Sequence, residues 1–322
     1  MKVIKTKLNY SNYYILLDLD TIKIGDVISF DIFIQKNDDF VIIIEAGTLI
    51  SENLYNKLKN QKSLYIHKDK GKDEDKQILS CESLRHYIRH SRDDVEKRIK
   101  VLYDVNDQLF DIFLTNKENK INIECLHLIV QSIIYLLKYD ASFLKSTIPY
   151  FVNDNMLKNH SLQVAIYALV IGNILKFKDD DLLKLGVAAL LHDIGFKKID
   201  ETIINKKSML TPQEISLMQK HSQHSVEIIE QNKIHDPYII NAVMHHHERY
   251  DGSGYPNQLM GDEISNFASI VGICDVFDAL TNNRPHREHY SSFNALKMMM
   301  RDKDMVNKFN QNYLHLFLKS FL

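Results

Sequence analysis

The sequence predicts an α+β chain: an all-α bundle in the C-terminal half, preceded by a small strand-containing N-terminal domain. Three observations point there. Alternating, β-rich runs bounded by polar turns fall within the first 66 positions, at Val27–Ile34 and Phe40–Ile44. From Ile78 onward apolar residues recur at three- and four-residue spacing, the period of a helix face. Glycine and proline are sparse except in one loop, Asp251-Gly252-Ser253-Gly254-Tyr255-Pro256.

Taken in order, Val27–Ile34 and Phe40–Ile44 flank the polar turn Lys36–Asp39 and read as a hairpin. Ser51 is placed to cap a short helix through Leu58, and Leu64–Ile66 reads as a further strand. Residues 1–66 therefore form a small α+β domain of unassigned role: packing and dimerisation is the plainest reading, with ligand sensing and partner binding beside it. Residues 67–78 are almost wholly charged and read as a solvated linker. Helices are expected over 83–114 and 121–139, within a connector spanning 79–145. The bundle, 146–322, should carry helices at 156–177, 180–193, 211–231, 236–247, 263–281 and 292–320.

A length of 322 residues suits two domains, or one large domain with an appendage. Hydrophobic residues at 45% and charged residues at 25% exclude wholesale disorder. A net charge of -2 argues against a partner that is a nucleic-acid polymer, while leaving room for a local basic site for a small anion. No run of 18 apolar residues predicts a membrane span, and Met1–Lys7 lacks an apolar signal core. Cys81, Cys125 and Cys274 lie far apart, so neither a close-set metal cluster nor a disulfide framework is expected. A reducing, cytoplasmic location fits that reading.

Histidine is the unusual entry. Of 15, 11 fall at or beyond His160, which directs attention to the C-terminal half. His192-Asp193 ends an apolar helical run, and such a pair offers an imidazole nitrogen beside a carboxylate able to bridge two cations. His160 lies one helix upstream and His221 one downstream. His245-His246-His247-Glu248 ends a further helix before the glycine-rich loop, and Asp275 and Asp278 follow on the next. Successive helices thus each supply one or two ligand-type residues. That is how carboxylate/histidine dimetal sites are built in bundle cores, and imidazole with carboxylate suits iron, manganese or zinc. Adjacent histidines on a helix point about 100° apart, so neighbours reach two metals more readily than one.

These motifs resemble the HD-GYP family. The resemblance is carried by His192-Asp193-Ile194-Gly195, by Leu210-Thr211-Pro212, by His246 through Pro256, and by Asp275 through Pro285. It covers about residue 150 to the C-terminus. It implies an HD-type helical bundle and hydrolysis of cyclic di-GMP at a cluster of two or three metals. Carried over position by position, it implies His160, His192, Asp193, His221, His246, His247 and Asp275 as metal ligands, with Asp193 the bridging carboxylate. Gly254, Tyr255, Pro256, Asp278, Arg284 and Arg287 become expected substrate contacts, guanidinium being suited to a phosphodiester. Cations at such a cluster lower the pKa of a bound water and stabilise charge on phosphoryl oxygens. Expected partners are cyclic di-GMP, a second copy of the chain, and a diguanylate cyclase or other signalling protein.

The chain departs from the family pattern in three places. The usual lysine after the His-Asp-Ile-Gly motif is Phe196, so Lys197 and Lys198 are the expected substitutes beside catalytic Asp193. A glutamate that joins a third metal in some members is Met156, so two divalent ions, iron or manganese, are expected. The tyrosine after Arg-Pro is His286. Three readings follow: a cyclic di-GMP phosphodiesterase yielding the linear dinucleotide or GMP, a binding module that has lost turnover through Phe196, and a metal phosphohydrolase acting on another nucleotide.

Overall fold

The computed structural model describes residues 14–19, 22–26, 28, 30–36, 39–45, 48–67, 81–91, 93–147, 156–206, 208–282 and 290–320. The chain divides into two compact units, one of residues 1–79 with 86–92, the other of 80–85 with 93–322.

In the first unit, strands β1 (Tyr14–Leu16), β2 (Ile32–Lys36), β3 (Asp39–Ile44) and β4 (Tyr65–His67) form an antiparallel sheet in the order β1-β4-β2-β3. The hairpin lies where the alternating pattern placed it, with Lys36 opposite Asp39. Helix α1 (Glu52–Lys59) starts at Ser51, whose hydroxyl accepts from the Leu54 amide. Ile22, Ile28, Ile32, Ile44, Ile50, Leu58 and Leu64 make a small apolar core between sheet and helix.

Beyond it the chain is helical: α2 (Cys81–His90), α3 (Val95–Thr115), α4 (Ile123–Tyr139), α5 (Phe143–Thr147), α6 (Met156–Ile174), α7 (Asp179–Leu191), α8 (Glu201–Ile204), α9 (Pro212–Gln219), α10 (His221–Gln231), α11 (Pro237–His245), α12 (Asn266–Thr281), α13 (Ser292–Arg301) and α14 (Gln311–Lys319). A short 3-10 turn, Ile194–Lys198, follows α7. Helices α6 and α12 are apolar on nearly every face and form the centre of the second unit, as such helices must. Helix α6 packs against α3, α4, α7, α12 and α14. Tyr167, Phe277 and Phe317 lock three of these helices edge-to-face, with ring centroids 4.9–5.4 Å apart.

Three expected helices are broken. The 83–114 pattern divides into α2 and α3 because Asp94 caps the second, its carboxylate accepting from the Lys97 amide at 2.9 Å. The 292–320 pattern divides where Asn310 caps α14. The 211–231 pattern divides at Lys220, between α9 and α10. Apolar periodicity continued across each break, so the polar start signals were the better guide to where a helix begins.

The cysteine reading is also corrected. Cys81, at the start of α2, is disulfide-bonded to Cys125 in the first turn of α4, with Cα atoms 5.1 Å apart. A separation of 44 residues concealed the pair, because packing of the second unit brings these helix starts together. Cys274 is free and buried. The argument for a reducing compartment from unpaired cysteines therefore lapses. Among the described residues no helix is long and apolar enough to cross a membrane.

Candidate metal centre

The seven residues expected as ligands converge in the second unit, in two groups: His160, His192 and Asp275; and Asp193, His221, His246 and His247. Asp193 faces both. Its Oδ1 lies 3.3 Å from His221 Nε2 and 3.5 Å from His246 Nε2, while its Oδ2 lies 3.3 Å from His192 Nε2 and 3.6 Å from His160 Nε2. Asp275 is divided in the same way, with Oδ1 3.3 Å from His160 Nε2 and Oδ2 3.8 Å from His247 Nδ1.

Local backbone decides which histidine nitrogen points inward. His192, His221 and His246 each direct Nδ1 at the carbonyl three residues back, Ala189, Met218 and Val243, at 2.7–2.8 Å. A carbonyl only accepts, so Nδ1 carries the proton and Nε2 keeps its lone pair. The Nε2 atoms of His221 and His246 then face each other at 3.4 Å. Two lone pairs at that distance, with a carboxylate oxygen beside both, need a cation or a proton between them. His192 Nε2 and Asp193 Oδ1 are also buried without a hydrogen bond, as open coordination positions would be. Imidazole and carboxylate donors, buried and preorganised, fit divalent metal ions.

Electrostatics divide the donor set, the carboxylates favouring a positive charge at His160 and burial favouring neutral rings at His246 and His247. Burial pushes the His160 imidazole down, but the carboxylates of Asp193, Asp275 and Asp278 outweigh it and hold its pKa well above the ordinary value. Burial lowers His246 to about 4 and His247 well below its ordinary range, leaving both neutral as ligands must be. Asp193 resists burial through the neighbouring histidines, which hold its carboxyl well below the usual range.

Several site residues were missed by sequence reasoning. Ser225 accepts from the Gly195 amide and donates to the His192 carbonyl, both at 2.8 Å, bracing the turn after Asp193. Gly195 is required there by close approach: a Cβ would meet the His221 carbonyl oxygen at 2.0 Å. Glu248, buried, accepts from the amides of Asn257 at 2.6 Å and Leu259 at 3.1 Å, anchoring the glycine-rich loop. Its signal was available, since a carboxylate directly before a loop of free amides is a natural anchor. Arg249 donates to the His246 and Glu248 carbonyls at the end of α11. Glu248→Ala is expected to lower stability by about 1–2 kcal/mol. Urea unfolding would read that loss, and amide exchange at Asn257 and Leu259 should quicken.

The expected substrate contacts divide. Tyr255 stacks on His247 with ring centroids 4.7 Å apart, and the bond to Pro256 is cis. Gly254 is buried against the end of α11, where a Cβ would lie 2.4 Å from the Arg249 nitrogen and the Glu248 Cα. Its role is to seat the loop. Asp278 is corrected: it is buried on α12, and its Oδ2 bonds His160 Nδ1 at 2.7 Å and Asn282 Nδ2 at 2.6 Å. There it orients the His160 ring from inside the unit. Arg284, Arg287 and His286 lie outside the described residues, as does the side chain of Met156.

The expected lysine substitutes are corrected as well. Lys198 Nζ pairs with Glu227 at 2.8 Å, and Lys197 Nζ donates to two backbone carbonyls of the α3 end. Neither ammonium is turned into the cluster. Phe196 instead lies flat on His221, with centroids 4.3 Å apart and planes 6° from parallel.

Residues 147–308 match the HD domain family. A cyclic di-GMP phosphodiesterase of Pseudomonas aeruginosa is 32% identical over 147 residues, 46% of this chain and 36% of that protein. A 3'3'-cGAMP-specific phosphodiesterase of Vibrio cholerae is 33% identical over 145 residues, 45% of this chain and 28% of that protein. The match thus spans about a third of either relative. Among solved structures, an HDG"Y"P protein from Bdellovibrio bacteriovorus aligns with a TM-score of 0.59 over 96% of this chain and 99% of its own, at 18% identity. That likeness shows the shared fold.

Proposed function

From the premise that the chain belongs to the HD domain family, we propose that it is a metal-dependent phosphodiesterase that opens cyclic di-GMP, with the linear dinucleotide or GMP as product. The observation that carries the reading is the pair of facing Nε2 atoms of His221 and His246, flanked by a carboxylate whose other oxygen serves His160 and His192. Two divalent ions, iron or manganese, suit this donor set: His160, His192 and Asp275 for one, His221, His246 and His247 for the other, with Asp193 between them. When bound, such ions supply an acidified water and positive charge for the phosphoryl oxygens.

The chain's own residues contribute around them. Asp278 keeps the His160 Nε2 lone pair inward by taking its Nδ1 proton in a hydrogen bond. Tyr255 is raised above its ordinary pKa by burial and by the charges of Asp193 and Asp275. It therefore stays a phenol at neutral pH and can donate to a phosphoryl oxygen. Each diester opened consumes one water. The water oxygen bonds to phosphorus, and a ribose oxygen leaves and takes up a proton.

A second reading is favoured by one observation. Phe196 cannot protonate a leaving oxygen, and the neighbouring ammonium groups of Lys197 and Lys198 are engaged elsewhere. General-acid help is worth about 10²–10⁴-fold, so its loss suits a module that binds a cyclic dinucleotide and turns it over slowly.

The deciding experiment is anaerobic purification, metal quantification, and incubation with cyclic di-GMP and 3'3'-cGAMP while products are separated by chromatography. Turnover of cyclic di-GMP with about two metals per chain is the expected result. Saturable binding of metal-loaded protein without product would make it a receptor, and preference for the mixed dinucleotide would reassign the substrate.

A further inference from the structure

Lys197 makes an interaction that the metal chemistry leaves unexplained. Its Nζ donates to the carbonyls of Phe113 and Asn116 at 2.6 Å each and lies 4.4 Å from the centre of the Phe113 ring. These carbonyls close the C-terminal end of α3; each also accepts one backbone amide, from Asn116 and Asn119, and the remaining lone pair together with the helix dipole favours a cation. Helix α3 also holds α6, the helix that carries His160. Asn106 Nδ2 donates to the Lys158 carbonyl at 3.0 Å, Lys158 pairs with Asp111, and the Tyr103 hydroxyl donates to Gln163. One helix thus grips both α6 and the turn Ile194–Lys198 that follows Asp193. Phe196, adjacent to Lys197, is the residue stacked on His221.

We propose that Lys197 is a positioning residue for the metal centre. By capping α3 it fixes the Ile194–Lys198 turn relative to α6, which keeps the Asp193 carboxylate between the two ligand groups and Phe196 flat on His221. The inference rests on the reading of the cluster as a metal site and not on the identity of the substrate.

The test uses the full chain as wild type, Lys197→Met and Lys197→Arg. Each is stripped with chelator and titrated with Mn²⁺ by calorimetry, then assayed for cyclic di-GMP hydrolysis and for urea unfolding. Lys197→Met is expected to weaken Mn²⁺ binding about ten-fold, the lower end for partners outside the ligand set. It should lower kcat while leaving KM nearly unchanged, and Lys197→Arg, which keeps a cation with several donors, should restore most of both. A Lys197→Met protein that unfolds more easily in urea but matches wild type in Mn²⁺ affinity and kcat would overturn the proposal, since the contact would then serve stability alone. If Lys197→Met does not fold, Lys197→Gln, which keeps an amide donor on a shorter stem, carries the same comparison. A wild type that binds Mn²⁺ but hydrolyses no cyclic dinucleotide overturns the phosphodiesterase reading, and the affinity difference still decides the role of Lys197. A wild type with no Mn²⁺ affinity overturns both.

Discussion

Asp193→Asn is expected to empty the metal cluster and to lower cyclic dinucleotide hydrolysis by at least about 10³-fold, more than the loss of a single hydrogen-bond donor in an active site. The reason is geometric. One carboxylate presents Oδ1 to His221 and His246 and Oδ2 to His192 and His160. An amide offers one neutral oxygen, so at best one ligand group keeps an oxygen at this position, and the negative charge shared between the groups falls to that of Asp275 alone. Elemental analysis of the purified variant should show metal falling well below wild type. A thermal melt separates this from misfolding. Wild type gains about 2.7 kcal/mol when metal stands at 100 times its Kd, and in Asp193→Asn that metal-dependent rise should vanish while a cooperative transition in chelator persists. A variant that keeps both its metals and its turnover would show that the two groups do not depend on a shared carboxylate.

Gly195→Ala should be the most damaging small substitution in the bundle. The added Cβ would lie 2.0 Å from the His221 carbonyl oxygen, 2.5 Å from the Ser225 nitrogen and 2.8 Å from the Ser225 hydroxyl. The nearest of these are backbone atoms of α10, which cannot rotate away as a side-chain tip can. The 3-10 turn and α10 must separate, breaking the bonds by which Ser225 links the Gly195 amide to the His192 carbonyl. Overpacking together with lost buried hydrogen bonds costs about 3 kcal/mol or more. For a unit of this size that corresponds to a fall in Tm of about 6–12 °C. The same separation moves His221 away from Asp193, so metal affinity should fall with stability. Calorimetric melts with and without Mn²⁺ would measure both. An unchanged Tm would mean that the turn tolerates a methyl group and that its packing is looser than the geometry indicates.

The features legible along the chain are those that depend on local chemistry and on residue order. Helical period, the Ser51 cap, the Thr211-Pro212 helix start and the hairpin about residues 36–39 all express interactions between near neighbours, which a linear pattern records. The clustering of seven histidines and aspartates was legible for a related reason: the motifs that carry the HD-GYP resemblance are short and local, and their donor atoms come together in the fold. Packing alone fixed the contacts between residues far apart in sequence. The Cys81–Cys125 bond, the Asp278 carboxylate turned onto His160 from 118 residues away, and the Lys197 ammonium seated on the end of α3 belong to this class. In each case the residue type offered several equally good uses. Lysine beside an expected phosphate site reads as a phosphate cation, and aspartate one turn from a ligand reads as a substrate contact. Which use prevails depends on where burial leaves an unsatisfied acceptor or donor within reach. For Lys197 it was the remaining lone pairs of the carbonyls at the end of α3, and for Asp278 the Nδ1 proton of His160, and neither is visible until the helices are packed.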